Sequence, residues 1–120
     1  MLRERYEDKK PAGRAARYRL DLPIRYRTAD APDWRDARTE NISRSGILIR
    51  TVTPLPPWTP IEMLLALPAE VGGRGEPVIC RGRVVRAEPA GANGRRQPAM
   101  AATIAAVTYM QPPDADPRRI

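Results

Sequence analysis

Two groups of residues in this chain have types and spacing suited to chemistry. One is Asn41, Ser43, Ser45 and Gly46, inside the stretch R-T-E-N-I-S-R-S-G-I-L-I-R that runs from Arg38 to Arg50. The other is the basic cluster G-R-A-A-R-Y-R upstream, which holds Arg14, Arg17 and Arg19. Amide and hydroxyl side chains such as Asn41 and Ser43 bond neighbouring backbone amides or an incoming ligand, and Gly46 is expected to take the positive φ that closes a tight turn. Arginine forks grip phosphate oxygens or the O6 and N7 edge of guanine, and their planes stack on bases. The chemistry on offer is recognition of an anion rather than bond making. Each group also has a plainer reading: Asn-x-Ser-x-x-Gly as a hairpin connection, and the arginines as a solvated arm.

Catalysis is disfavoured by what the chain lacks. It contains no histidine, so neither a Cys–His nor a Ser–His pair can be built and the usual proton shuttle near neutral pH is missing. The carboxylates are scattered, and no two stand in a context that suggests an acid/base pair. One cysteine, Cys80, cannot form an internal disulfide, and without histidine the common metal sites have too few ligands. No cofactor is expected. The formal net charge of +7 favours phosphate-bearing or acidic partners, and residues 1–27 carry nine Lys/Arg against four Asp/Glu. No apolar run approaches the ~20 residues of a membrane span, and the N-terminus has no apolar signal core. A reducing cytoplasm fits best.

The elements that would position these residues read as strands. With 120 residues the chain has room for one small domain and tails. From Tyr18, the residues Tyr18, Leu20, Leu22, Ile24 and Tyr26 alternate with polar or charged neighbours, a strand pattern in which Pro23 implies an edge position or a bulge. Residues 37–42 and 46–51 make a second and a third strand around the polar turn. Four prolines at 54, 56, 57 and 60 force an extended crossing that Trp58 is expected to anchor to the core, while Trp34 caps a barrel end or stacks on a planar ligand. A fourth strand covers 61–67. A fifth covers 78–87, with Cys80 inward and Gly82 marking a bend or bulge. The segment 99–110 is ambiguous, because its alanines favour helix while Thr103, Ile104, Val107 and Tyr109 favour strand.

In this order of elements the chain resembles a PilZ domain, the bacterial receptor module for cyclic di-GMP. Asn41, Ser43 and Gly46 fit that family's Asp/Asn-x-Ser-x-x-Gly motif, which lies between its second and third strands. The family's Arg-x-x-x-Arg motif, placed before the first strand, is not intact: Arg14, Arg17 and Arg19 are spaced by three and two. Arg19 then takes the place of the second motif arginine, and Ala15 stands where the first would be. The resemblance implies an all-β fold, a six-stranded antiparallel barrel over residues 14–110 with 99–110 as the sixth strand. A flexible basic arm at 1–13 precedes it and a short irregular tail at 111–120 follows.

It also implies a function: a non-enzymatic receptor that binds cyclic di-GMP through Arg14, Arg17, Arg19, Asn41, Ser43 and Gly46 and signals to a protein partner. The alternatives are an adaptor of the same fold that has lost the nucleotide, and a nucleic-acid-binding barrel. The last is disfavoured, since base-stacking barrels want aromatic residues along their strands and these are only 5% of the chain.

Overall fold

The computed structural model describes residues 16–109. Seven strands account for nearly all of its regular structure: β1 (Pro23–Thr28), β2 (Arg35–Ile42), β3 (Gly46–Arg50), β4 (Pro60–Ala66), β5 (Pro77–Glu88), β6 (Ala99–Thr103) and β7 (Ala106–Tyr109). Helix is confined to two single 3-10 turns, Ala69–Val71 and Ala92–Gly94. Every strand pairing is antiparallel, and the order β4-β1-β2-β3-β6-β5 closes on itself through a β4–β5 pairing. The result is a six-stranded barrel, as the family resemblance implies. No helix among the described residues is long and apolar enough to cross a membrane.

Alternation sets the interior. Ile24, Tyr26, Ile42, Ile47, Ile49, Ile61, Met63, Leu65, Val78, Cys80, Val84 and Met100 all point inward and are buried, which is the driving force for closing the sheet. Tyr26 is the largest fully buried side chain, and its phenol is satisfied by Thr51 Oγ1 at 2.7 Å and Thr53 Oγ1 at 2.9 Å. A buried hydroxyl needs such partners, and two threonines just past β3 supply them. Cys80 is fully buried on β5 between Met63 of β4 and Val107 of β7, and burial pushes its thiol up to about 11. It packs as a small apolar filler.

The structure departs from expectation in several places. The strand expected over 99–110 is two strands laid end to end along one edge of β5, β6 against Val84–Glu88 and β7 against Val78–Arg81. The track breaks at Ile104 and Ala105, whose amides bond instead to Ser45 O at 2.8 Å and Arg81 O at 2.7 Å. Gly82 faces that break: a Cβ there would run into the carbonyl of Thr103. Its role is close backbone approach, and the register shift of β5 falls later, between Val84 and Arg86.

Pro23 lies neither on an edge nor in a bulge. It is the first residue of β1, which has β2 and β4 on either side, so its missing amide interrupts no ladder. Trp58 does not anchor the crossing. It is 68% exposed at a positive φ of 74°, with its amide bonded to Val84 O at 2.6 Å. Leu55 packs on the core in its stead.

Candidate functional site

The two groups of residues singled out from the sequence meet at the start of the barrel. Residues ahead of β1 run antiparallel to the end of β2, joined by a bridge in which Tyr18 N donates to Ile42 O at 2.8 Å and Ile42 N to Tyr18 O at 2.9 Å. That register sets Arg19 across from Asn41 and Arg17 across from Ser43, and alternation puts both arginines on the side opposite Tyr18. Both are exposed. Arg14 lies outside the described residues.

Thr39 reinforces the junction. Fully buried, it accepts a hydrogen bond from Leu22 N at 2.9 Å, donates one to Leu20 O, and sends its own amide to Leu22 O at 2.9 Å. A β-branched residue with a hydroxyl can take a core position and still satisfy the backbone of an irregular neighbour. Thr39 thereby fixes the Leu20–Leu22 segment and, with it, Arg19 and Asp21.

Asn41 reaches the surface through a β-bulge. The β2–β3 register shifts between Thr39 and Asn41, so two residues, Glu40 and Asn41, separate the inward-facing Thr39 and Ile42. Both come out half-buried on the outer wall, as bulges re-aim side chains elsewhere. Arg19, Leu20, Asp21, Thr39, Glu40, Asn41 and Arg50 line one groove of about 440 Å³. The structure thus brings Arg19 and Asn41 together, as the sequence suggested.

Ser43 and Gly46 hold the turn itself. Ser43 is only 6% exposed, and its Oγ accepts hydrogen bonds from Ser45 N at 3.2 Å and Gly46 N at 3.1 Å, while its amide donates to Gly46 O at 2.8 Å. Its hydroxyl is committed to closing the hairpin. Gly46 was expected at positive φ, yet it is not among the residues with positive φ. A Cβ at Gly46 would lie 3.1 Å from Ala102 O on β6, so the close approach of a neighbouring strand is what makes this position tight for a side chain. Arg44 stands exposed at the tip.

Residues missed from the sequence complete the groove. Arg38 and Arg50 are direct cross-strand partners on β2 and β3, and like charges so placed repel. Asp21 stands between them: its Oδ1 lies 2.5 Å from Arg38 Nε and 3.3 Å from an Arg50 nitrogen. The hydrogen bond from Arg38, helped by the charge of Arg50, holds the Asp21 carboxyl below its usual range. Arg50 also approaches Glu40 at 3.8 Å, and Glu40 is bonded to Arg95. Arg95 lies 3.5 Å from Glu88, which accepts from Arg86 at 2.7 Å. Alternating charges therefore run across the outer wall, and Glu40 and Arg50 also line a second groove of about 420 Å³ with Arg95, Arg96 and Gln97. No local signal gave this pairing: the regular hairpin register carried outward from Ile42 and Ile47 would set Thr39 against Arg50, and only the bulge brings Arg38 there.

The opposite wall carries a second cluster. Glu62 on β4 accepts from Arg27 at 2.9 Å and Arg81 at 3.1 Å, and the Arg27 guanidinium lies 4.1 Å from the Trp34 ring centroid. Trp34 therefore stacks on a side chain of its own barrel. Burial pushes the Glu62 carboxyl up, but the two arginine hydrogen bonds outweigh it and hold it below its ordinary value. Among the described residues no group of three or more His, Cys, Asp or Glu is placed to hold a metal ion.

Comparison with known proteins extends over most of the chain. Residues 13–116 match the family described as the PilZ domain. Among solved structures, the inhibitor of motility of Bacillus subtilis (MotI/DgrA) shares the fold, with a TM-score of 0.62 at 14% sequence identity over 81% of this chain and 44% of that one. The chain thus spans less than half the length of that protein. Comparison with curated proteins gave no match.

Proposed function

The chain belongs to the PilZ domain family, and on that premise we propose that it is a cytoplasmic, non-enzymatic receptor for cyclic di-GMP that passes the signal to a protein partner. One observation carries this reading: the Tyr18–Ile42 bridge sets an exposed arginine, Arg19, beside Asn41 in a single groove. A dianionic dinucleotide needs such a pairing, an arginine fork for phosphate or guanine and an amide for a base edge. Arg17 flanks the same bridge, and Arg14 is a further ligand contact in this reading on the strength of the family resemblance alone. Ser43 and Gly46 serve by shaping the turn that presents Asn41.

A second reading, an adaptor that works through protein contacts without nucleotide, is favoured by two features. The Ser43 hydroxyl is occupied by the turn, and Ala15 stands where the family motif places its first arginine. Calorimetric titration with cyclic di-GMP at fixed salt separates the two. The receptor reading expects saturable binding that Arg19→Ala weakens by about 1–3 kcal/mol, the worth of one bidentate guanine contact. It also expects Ala15→Arg, which restores the motif spacing, to tighten binding about tenfold. No binding by the native chain and none by Ala15→Arg would leave the adaptor.

A further inference from the structure

The ion pairs around the groove are unequal. Asp21 is held tightly by Arg38, through Nε at 2.5 Å and a second bond from the guanidinium to the Asp21 carbonyl at 3.1 Å. Glu40 is held by Arg95, whose side chain is only 13% exposed and whose Nε also bonds Gln97 O at 3.2 Å. Arg50 sits between these two pairs and has the weakest grip on each, 3.3 Å to Asp21 and 3.8 Å to Glu40. Neither contact is the two-pronged fork a guanidinium makes with an oxyanion it fully engages. If Arg50 turned to another anion, Asp21 would keep Arg38 and Glu40 would keep Arg95. Arg50 can therefore leave this network with each of its two carboxylates still held in the shorter of its pairs.

Its position suits that exchange. Arg50 lines the groove that holds Arg19 and Asn41, and it also lines the adjoining groove with Arg95 and Arg96. We propose that Arg50 is a further ligand-binding residue of this site, and that Asp21 is the resident anion which a ligand phosphate displaces from it. The inference rests on the cyclic di-GMP reading. A phosphate diester outcompetes the carboxylate because it offers two oxygens to the Arg50 fork while Asp21 offers one already engaged by Arg38. Asp21 thereby sets the threshold of the receptor: the ligand must bring enough charge to replace it.

The test is cyclic di-GMP titration of the full chain and three variants at one salt concentration. Arg50→Gln should weaken binding about tenfold, the value of one charge-assisted contact near 1.4 kcal/mol. Asp21→Asn should tighten it by roughly three- to tenfold by freeing the fork. Asp36→Asn is the control, because it makes the same change in net charge at an exposed pair with Arg25, 3.0 Å long and away from this groove. It should move affinity by less than about twofold, the range of screened long-range attraction.

Binding by Asp21→Asn where the native chain binds weakly or not at all supports the proposal. Native binding that neither Arg50→Gln nor Asp21→Asn alters beyond the control overturns it and leaves the receptor reading standing. Absence of binding in every chain removes the receptor reading and the proposal with it. Should Arg50→Gln fail to fold, Asp21→Asn against Asp36→Asn decides alone.

Discussion

The two walls of the barrel carry clusters made from the same residue types, and they are built in opposite ways. Around Glu62 one carboxylate is shared by two arginines at 2.9 and 3.1 Å, its residue is 8% exposed, and Trp34 and Thr108 engage the arginines' remaining faces. Around Asp21 and Glu40, four arginines meet three carboxylates along a ladder that runs from exposed Asp21 to part-buried Glu88, with distances that lengthen to 3.8 Å at Arg50. The first cluster ties its carboxylate between two arginines, whereas the second keeps an arginine half engaged beside an open groove. Abundance of arginine marks neither as a site. Unsatisfied geometry does.

The largest effect expected from breaking this contrast is at the closed cluster. Glu62→Gln leaves Arg27 and Arg81 without their shared charge and should lower stability by about 2 kcal/mol, less than a fully buried pair would lose because both arginines can rehydrate. Urea denaturation measures the loss, and cyclic di-GMP affinity should not change. The acid limb carries the same signature. Since the folded Glu62 carboxyl is held below its ordinary value of 4.5, its contribution is present above that pH and fades as pH falls through the lower folded value. The gap between native and Glu62→Gln chains should therefore narrow in acid.

Ser43→Ala comes next. It strips an acceptor from two turn amides and should cost about 1 kcal/mol of stability, with affinity falling because the turn no longer presents Asn41 rigidly. Asn41→Ala, half-buried on the outer wall, should do the reverse and weaken binding at nearly unchanged urea midpoint. If Ser43→Ala kept full stability and Asn41→Ala lost it, the assignment of turn closure to one and contact to the other would be inverted. The smallest effect belongs to Asp21→Asn, whose urea midpoint should match that of the native chain. A clear loss there would mean that the open ladder is structural after all.

The barrel was legible in the sequence wherever one strand could speak for itself. Alternation from Leu20 to Tyr26, 61 to 67 and 78 to 84 gave the inward residues, and the Asn41–Gly46 hexapeptide gave the hairpin. What stayed hidden depends on neighbours distant in the chain. The break at Ile104 comes from a bond to Ser45, Gly46 is constrained by Ala102, and Gly82 by Thr103. No local propensity encodes such encounters. The bulge that exposes both Glu40 and Asn41 inserts one residue into an otherwise regular alternation, and the Asp21–Arg50 pair joins two positions that meet only once β1, β2 and β3 are in register. Trp58 misled for another reason. Size and apolarity argued for burial, but Leu55 already fills the place beside Met100, whose sulfur accepts the Leu55 amide at 3.4 Å.

Cys80 gives the closed barrel a built-in clock. It sits on β5 where β4 lies on one side and β7 on the other, and it is the single cysteine of the chain. Alkylating reagents attack the thiolate, a form that burial suppresses by raising the thiol to about 11. Modification near neutral pH must therefore wait until the strands around Cys80 part and water enters, restoring ordinary reactivity. The labelling rate counts those partings at one place in the barrel, opposite in character to the wall where ligand would bind. Any partner or ligand that tightens the whole barrel slows that clock, and one that merely occupies the groove leaves its rate alone.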